Sequence, residues 1–313
     1  MASMIPDERA PIERPRPRPI HPTADAEDVL GLIASEQARG GSVVLVALVG
    51  LEASGVRGLG SLMAVLPDGG YAGSFSGGCI EAAIAGEALD ALAERRPRQV
   101  RFGAGSPYID VRLPCGGGVD ILFLPDPSPD MITLALSSLR ARRPIALPLG
   151  GQLFHYAPRL RVIAIGQGAE TVAMLSLAHA FGGVVEVVTP EQAVADQAAA
   201  AGARVRLIRG PRDITALDAD RWTAVALLFH DHDWEIGILR AALGSDAFWI
   251  GAMGGARTRL ARIEALKAAG VGAADIDRVR SPIGVIPSAR DPATLALSAL
   301  AEIVAAYREQ ARA

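Results

Sequence analysis

Apolar residues recur along this chain in blocks that alternate between helical and strand-like spacing. The first such block is "ADAEDVLGLIASEQARG", where Val29, Leu30, Leu32 and Ile33 form an apolar stripe and Gly40 supplies a stop signal. The run "SVVLVALVG" is continuously apolar and predicts a buried strand. "LGSLMAVLPDGGYAGSF" predicts a hairpin turning at Pro67-Asp68-Gly69. A helix follows from about Gly78 to Arg95, with Ile80, Ile84, Leu89 and Leu92 near one face. "RQVRFGA" and "VDILFLP" predict further strands, "PDMITLALSSLRARRP" a helix, and "PIALPLGGQLFHYAP" short closing strands.

The rhythm changes at Pro158-Arg159. "RVIAIGQGAETVAMLSLAHAFGGVVEVVTP" reads as strand, glycine turn, helix and strand, the opening unit of a doubly wound domain. "ARVRLIRG", "WTAVALLFH" and "AFWIGAMGG" continue the alternation, separated by helix-like segments. The last block, "DPATLALSALAEIVAAYREQ", is a helix with Asp291 as N-cap and Pro292 at its first position. The predicted fold class is α/β, an N-terminal α+β domain followed by a Rossmann-like doubly wound parallel-sheet domain. The expected boundaries are 23–157 and 158–313, with residues 1–22, rich in proline and charge, as a disordered tail.

Composition narrows this picture. Hydrophobic residues make up 50 % of 313 residues and aromatics only 4 %, so the core is built mainly from Ala, Val, Leu and Ile. A formal net charge of -3 gives no basic face, and no nucleic-acid partner is expected. The two cysteines do not make a disulfide framework. No apolar leader or membrane-length run is present in the sequence, so the expectation is a cytoplasmic protein with reduced thiols and no membrane partner.

The glycine turn after "RVIAI" departs from the dinucleotide fingerprint. Gly166 and Gly168 are in place, but Thr171 stands where a third glycine should allow close packing. The strand "VVEVV" ends at Thr189-Pro190 without the carboxylate that would hold a ribose hydroxyl, and Glu170 adds a negative charge beside the turn. The reading is a Rossmann-like domain whose dinucleotide site is altered or lost, with NAD(P) not its cofactor. The rival reading is an NAD(P)-dependent oxidoreductase using this domain.

Both cysteines sit beside glycines. In "SFSGGCIEAAI" the pair Gly77-Gly78 frees the backbone before Cys79, and Ser76 as N-cap would place Cys79 in the first helical turn. A thiol there feels the helix dipole and unpaired N–H groups, which favour the thiolate that ligates metals and attacks electrophiles. Cys115 lies between Pro114 and the run Gly116-Gly117-Gly118, where something other than a side chain can approach the backbone. Either cysteine alone is readable as a small core filler. As a pair on glycine turns they point to thiol chemistry, and a reversible disulfide serving as a redox sensor is a further alternative. Structural zinc fits poorly, since there is no C-x-x-C.

"HDHDWE" places His230 and His232 at the C-terminal end of a strand, where doubly wound sheets bind ligands. A polar loop with Asp231 or Asp233 capping the next helix is an equal reading. Arg257, Arg259 and Arg262 read as a solvated helix face, and Trp222, Trp234 and Trp249 as packing residues.

Five segments then carry a resemblance. "GSFSGGCIEAAI", "LPCGGGVDILFLP", "FHDHDWEIGILRAAL", "FWIGAMGGARTRLARIEALKAAGV" and "SPIGVIPSARDPATLALSALAEI" are similar, in order and spacing, to the xanthine dehydrogenase accessory protein family of the XdhC/CoxI type. The resemblance covers about residues 25–305. It implies a non-catalytic chaperone that binds molybdenum cofactor (molybdopterin) transiently, supports its sulfuration and delivers it to a xanthine dehydrogenase-type apoenzyme. A cysteine desulfurase is the implied second partner, and a homodimer the implied assembly. Carried over, Cys79 and Cys115 are the thiols at the metal, set among Gly77, Gly78, Gly116 and Gly117. Glu81 matches the acidic residue of the first motif and His230 the histidine after the fourth Rossmann strand. Gly251, Gly254 and Gly255 match a glycine loop able to approach a phosphate. Departures are "LEASGVRGLGS" with Arg57 as the nearest arginine, Ala256 in place of a serine, and Glu235 in place of an aspartate.

Overall fold

The computed structural model describes residues 15–21, 23, 25–52, 57–76, 80–106 and 117–312. The chain divides into two compact units, Met1–Ala157 and Pro158–Ala313.

In the first unit the elements run β1 (Arg18–His21), α1 (Ala26–Ala38), β2 (Val44–Glu52), β3 (Leu62–Val65), β4 (Gly70–Gly73), α2 (Glu81–Glu94), β5 (Arg98–Gly103), β6 (Gly118–Pro125), α3 (Pro129–Arg140), β7 (Ile145–Leu149) and β8 (Gln152–Tyr156). Six strands form one sheet in the order β1-β4-β3-β2-β6-β5, and β7 pairs with β8. All neighbours in the larger sheet are antiparallel except β1 and β4. Strand β2 has apolar side chains on both faces because both are covered. Leu45, Ala47 and Val49 pack with α1 and α3, while Val44, Val46 and Leu48 pack with α2. The hairpin forms where expected, with Gly69 at φ +79° and Gly70 N–H donating to Asp68 Oδ1 at 2.9 Å.

Two expectations need correction here. The tail expected over residues 1–22 does not reach that far, because Arg18–His21 is an edge strand parallel to β4. Its residues are all exposed, so no alternation marks it, and proline is tolerated at such an edge. The helix expected from Gly78 begins at Glu81, capped by Ile80. Its buried face is mostly alanine, with Ala85, Ala88 and Ala91 beside Ile84, while Leu89 and Leu92 are only partly covered. Small side chains bring this helix close to the sheet.

In the second unit the order is β9 (Arg161–Gly166), α4 (Gly168–Ala180), β10 (Val184–Thr189), α5 (Gln192–Ala200), β11 (Arg204–Leu207), β12 (Thr223–Leu228), α6 (Glu235–Leu243), β13 (Trp249–Ala252), α7 (Ala256–Ala268), α8 (Ala273–Ile276), β14 (Val279–Arg280) and α9 (Pro292–Gln310). The sheet order is β11-β10-β9-β12-β13-β14, every pair parallel. One face carries α4, α5 and α9 over Val162, Ala164, Val187 and Ala226. The other carries α6 and parts of α7 and α8 over Ile163, Ile165, Val225 and Leu227. This is the doubly wound arrangement, and its switch point lies between β9 and β12. No helix among the described residues is long and apolar enough to cross a membrane.

Candidate functional site

In the first unit the feature with the most chemistry is the carboxylate of Glu81. Although it opens α2, the side chain is 2 % exposed and folds back onto the chain that precedes it. Its Oε1 accepts from Ser74 Oγ (2.9 Å), Phe75 N (3.0 Å) and Ser76 N (2.7 Å). Its Oε2 accepts from Ser76 Oγ (2.6 Å) and, more weakly, Ile80 N (3.3 Å). Ile80 N also reaches Ser76 Oγ at 3.1 Å. Burial by itself would raise the carboxyl's pKa, but the bonds from Ser76 and Ser74 outweigh it and hold the group at about 2. A permanently ionised carboxylate therefore clasps residues on both sides of positions 77–79. Burial, together with the charge of Glu81, raises the pKa of the Tyr71 phenol.

Gly77, Gly78 and Cys79 themselves lie outside the described residues, as do Cys115 and Gly116. The expected first-turn position for the Cys79 thiol therefore falls outside the described residues. The described flanks point the same way but do not meet: β4 ends with Gly73 level with Val46 of β2, through Met63, whereas β6 starts with Gly118 opposite Glu52, six residues farther along that strand. Gly117 closes the neck of the β5–β6 connection, its carbonyl accepting from Ala104 N at 3.0 Å. Gly118 is required by close approach: a Cβ there would lie 2.6 Å from an Arg101 nitrogen and 2.7 Å from the Ala104 carbonyl. Arg101 in turn pairs with Asp120 at 3.1 Å and with Glu52.

Sequence reasoning placed Glu81 only by resemblance, and missed the serines that hold it. The S-F-S spacing before the glycines, with an acid five residues after the second serine, was the available signal. Arg57, the nearest match to the family's arginine, donates from Nε to the Ser74 carbonyl at 3.2 Å.

In the second unit Gly166 and Gly168 form the predicted turn at the switch point. Gly168 adopts φ +69° at the start of α4, where a side chain would be strained. Gly166 has no room for a Cβ, which would meet the Leu228 carbonyl at 2.6 Å. Thr171 takes the third-glycine position fully buried, its hydroxyl donating to the Gln167 carbonyl at 3.1 Å. The carboxylate judged missing after the second strand is present two residues later. Glu191 Oε2 accepts from Gly168 N at 2.9 Å and so occupies the amide that a pyrophosphate would use. Glu170 also serves a purpose other than repulsion, pairing with His230 Nε2 at 3.1 Å. His230 follows β12, and the stack of Phe229 on Trp234 (5.3 Å, 12°) pins the turn between them. Asp231 accepts from Asp233 N at 3.0 Å, the polar-loop reading, while the His232 side chain lies outside what is described.

Arg262 overturns its reading as a solvated residue. It is 4 % exposed and bidentate to Glu235, with both bonds at 2.8 Å. The same guanidinium reaches the Ser281 hydroxyl at 2.5 Å and the Met253 carbonyl at 2.7 Å. Glu235, where the family has aspartate, is thus the buried half of an ion pair. Gly251 belongs to packing, since its Cβ would collide with the Trp249 ring. Gly254, at φ +124°, and Gly255, the N-cap of α7, form the turn after β13. Among the described residues no three His, Cys, Asp or Glu side chains group as a metal site.

Comparison with known proteins identifies the family and the fold. A family model described as XdhC Rossmann domain matches residues 162–303, and one described as XdhC and CoxI family matches residues 36–103. An Escherichia coli (strain K12) protein named molybdenum cofactor insertion chaperone PaoD is 33 % identical over 310 residues, covering 92 % of this chain and 91 % of that one. A crystal structure from Bacillus halodurans, described as a xanthine dehydrogenase, has the same fold. It superposes with a TM-score of 0.73 at 18 % identity, over 90 % of this chain and 96 % of that one. The chain belongs to the XdhC and CoxI family.

Proposed function

We propose that this protein is a molybdenum cofactor insertion chaperone. It takes the pterin-bound molybdenum as cargo, supports installation of the terminal sulfur, and releases the cofactor to a xanthine dehydrogenase-type apoenzyme. The observation that carries the reading is the Glu81 clasp, which fixes both flanks of the Gly77–Cys79 segment with an ionised, buried carboxylate. A buried carboxylate that holds the residues on either side of a short glycine-containing segment, at such cost in desolvation, fits a segment whose position matters to a ligand. The name of the Escherichia coli relative gives the cargo class.

In this reading Cys79 and Cys115 present soft thiolates to molybdenum or carry the sulfur destined for it. Glu81, its pKa held well below the usual carboxylate range, keeps its negative charge at neutral pH and binds Ser74, Phe75, Ser76 and Ile80 on either side of the first cysteine motif. The chemistry is ligand exchange and custody, with a cysteine desulfurase as sulfur donor, a homodimer as the working assembly and the cytoplasm as its location. The second unit is a scaffold that does not use NAD(P), a reading supported by Glu170 and Glu191 standing at the α4 N-terminus.

The test is expression in cells that make molybdenum cofactor, followed by measurement of molybdenum and pterin bound to the wild type, Cys79→Ser and Cys115→Ser. The wild type should carry both, and each substitution should lower the content by at least about tenfold, the usual scale for losing support at a metal. Wild-type protein without pterin, even with cofactor in excess, defeats the proposal.

A further inference from the structure

We propose that the second unit binds a phosphorylated small molecule of mononucleotide size in a cavity beside β13 and β14. The cavity measures about 520 Å³, within the range of roughly 300–1,000 Å³ that small-ligand pockets occupy. Its wall carries Arg259 from α7 together with Arg278 and Arg280, which bracket Val279. Two carboxylates, Asp277 and Glu302, also line it, so the three guanidinium groups leave it net positive.

The partners of these groups decide what the cavity can take. Arg278 is already fixed, donating to the carbonyls of Leu243 (2.9 Å) and Ser245 (3.4 Å) and to Asp275 (3.3 Å). Both oxygens of Glu302 are engaged, by Trp249 Nε1 at 3.3 Å and Gly284 N at 2.6 Å. Among the described residues the side chains of Arg259 and Arg280 meet no acceptor. Two unengaged guanidinium groups on one concave wall suit a phosphate, which arginine holds bidentately. A bare phosphate would leave most of the volume empty, and Phe248, Val279 and Pro282, none of them buried, offer apolar surface to an organic moiety. The site is separate from the switch point, since β14 is the edge strand and the β9–β12 crevice lies on the other side of β12. The inference rests on the second unit alone, and its failure would leave the cofactor reading untouched.

The experiment is calorimetric titration of the full chain with inorganic phosphate, ribose 5-phosphate, AMP, CMP, GMP, UMP and adenosine. At least one organic phosphate should bind with Kd on the order of 1 mM or tighter, ahead of inorganic phosphate, with adenosine silent. Arg259→Ala and Arg280→Ala should each weaken that binding about tenfold, as loss of a charge-assisted contact does. Both positions are exposed, and far-ultraviolet circular dichroism checks that the fold persists. Arg308→Ala, at an exposed position on α9, should leave binding unchanged. Silence of every phosphorylated probe, equal binding of inorganic phosphate, or equal weakening by Arg308→Ala would overturn the proposal.

Discussion

Replacing Glu81 by Gln keeps the shape of the side chain and removes its charge. One of its two acceptor oxygens becomes an NH2 group that must face donors. If the amide oxygen keeps Ser74, Phe75 and Ser76 N, the NH2 can donate to Ser76 Oγ in a neutral bond, but it meets Ile80 N donor to donor. Charge-assisted bonds contribute about 1.5 kcal/mol or more each, so losing one and the charge behind the others is worth about 3 kcal/mol. The depressed pKa leads to a similar figure: a carboxyl held at about 2 rather than 4.5 stabilises the ionised fold by about 3 kcal/mol. Screening by solvent around the half-buried serines reduces this, and a loss of about 2 kcal/mol is expected. Because the folded pKa is lowered, the wild type's advantage is complete above the unfolded value of 4.5 and vanishes as pH falls through about 2. Urea unfolding followed by far-ultraviolet circular dichroism measures it. All three tryptophans lie in the second unit, so their fluorescence serves as an internal control for that unit. The gap between wild type and Glu81→Gln should shrink to less than about half between pH 6 and pH 3. A gap below about 0.5 kcal/mol at pH 7, or one that stays constant down to pH 3, would refute the argument.

Arg262→Ala strands the Glu235 carboxylate inside the second unit and should cost about 3–5 kcal/mol, read by the urea midpoint of tryptophan fluorescence. The double variant Glu235→Leu/Arg262→Met should recover most of that loss, and a single-variant cost under about 1 kcal/mol would show that the pair is not a buried ion pair. Titration with NADH, followed by its own fluorescence, should show no saturable binding below about 100 μM, because Glu191 already holds the Gly168 amide. Tight NADH binding that Glu191→Ala abolishes would instead make Glu191 the ribose-binding acid.

Some of this molecule was readable from local pattern because local pattern was its cause. The unbroken apolar run of β2 meant burial on two faces, and both faces are covered. Pro67-Asp68-Gly69 meant a turn because Gly69 needs φ +79° and Asp68 can bond its own backbone. The features that escaped notice have partners far away in sequence. Arg262 looks solvated until Glu235, 27 residues earlier, is brought beside it. Glu191 looks absent from the nucleotide turn because the fingerprint expects an acid at the strand end, not two residues on. The edge strand β1 has no alternation of its own, since its hydrogen bonds to β4 and not its side chains place it.

The sequence by itself determined the order of the main helices and strands, the change of architecture at residue 158 and the family. Each follows from short-range periodicity, turn chemistry or motif spacing, which need no knowledge of distant contacts. Tertiary structure decided what the charged groups do. A buried carboxylate or guanidinium is tolerable only when specific donors or acceptors surround it, and those come together only once the chain is folded. Glu81 became the clasp of the cysteine segment, Glu235 and Arg262 an internal ion pair, and Arg259 and Arg280 the walls of a cavity, for that reason alone.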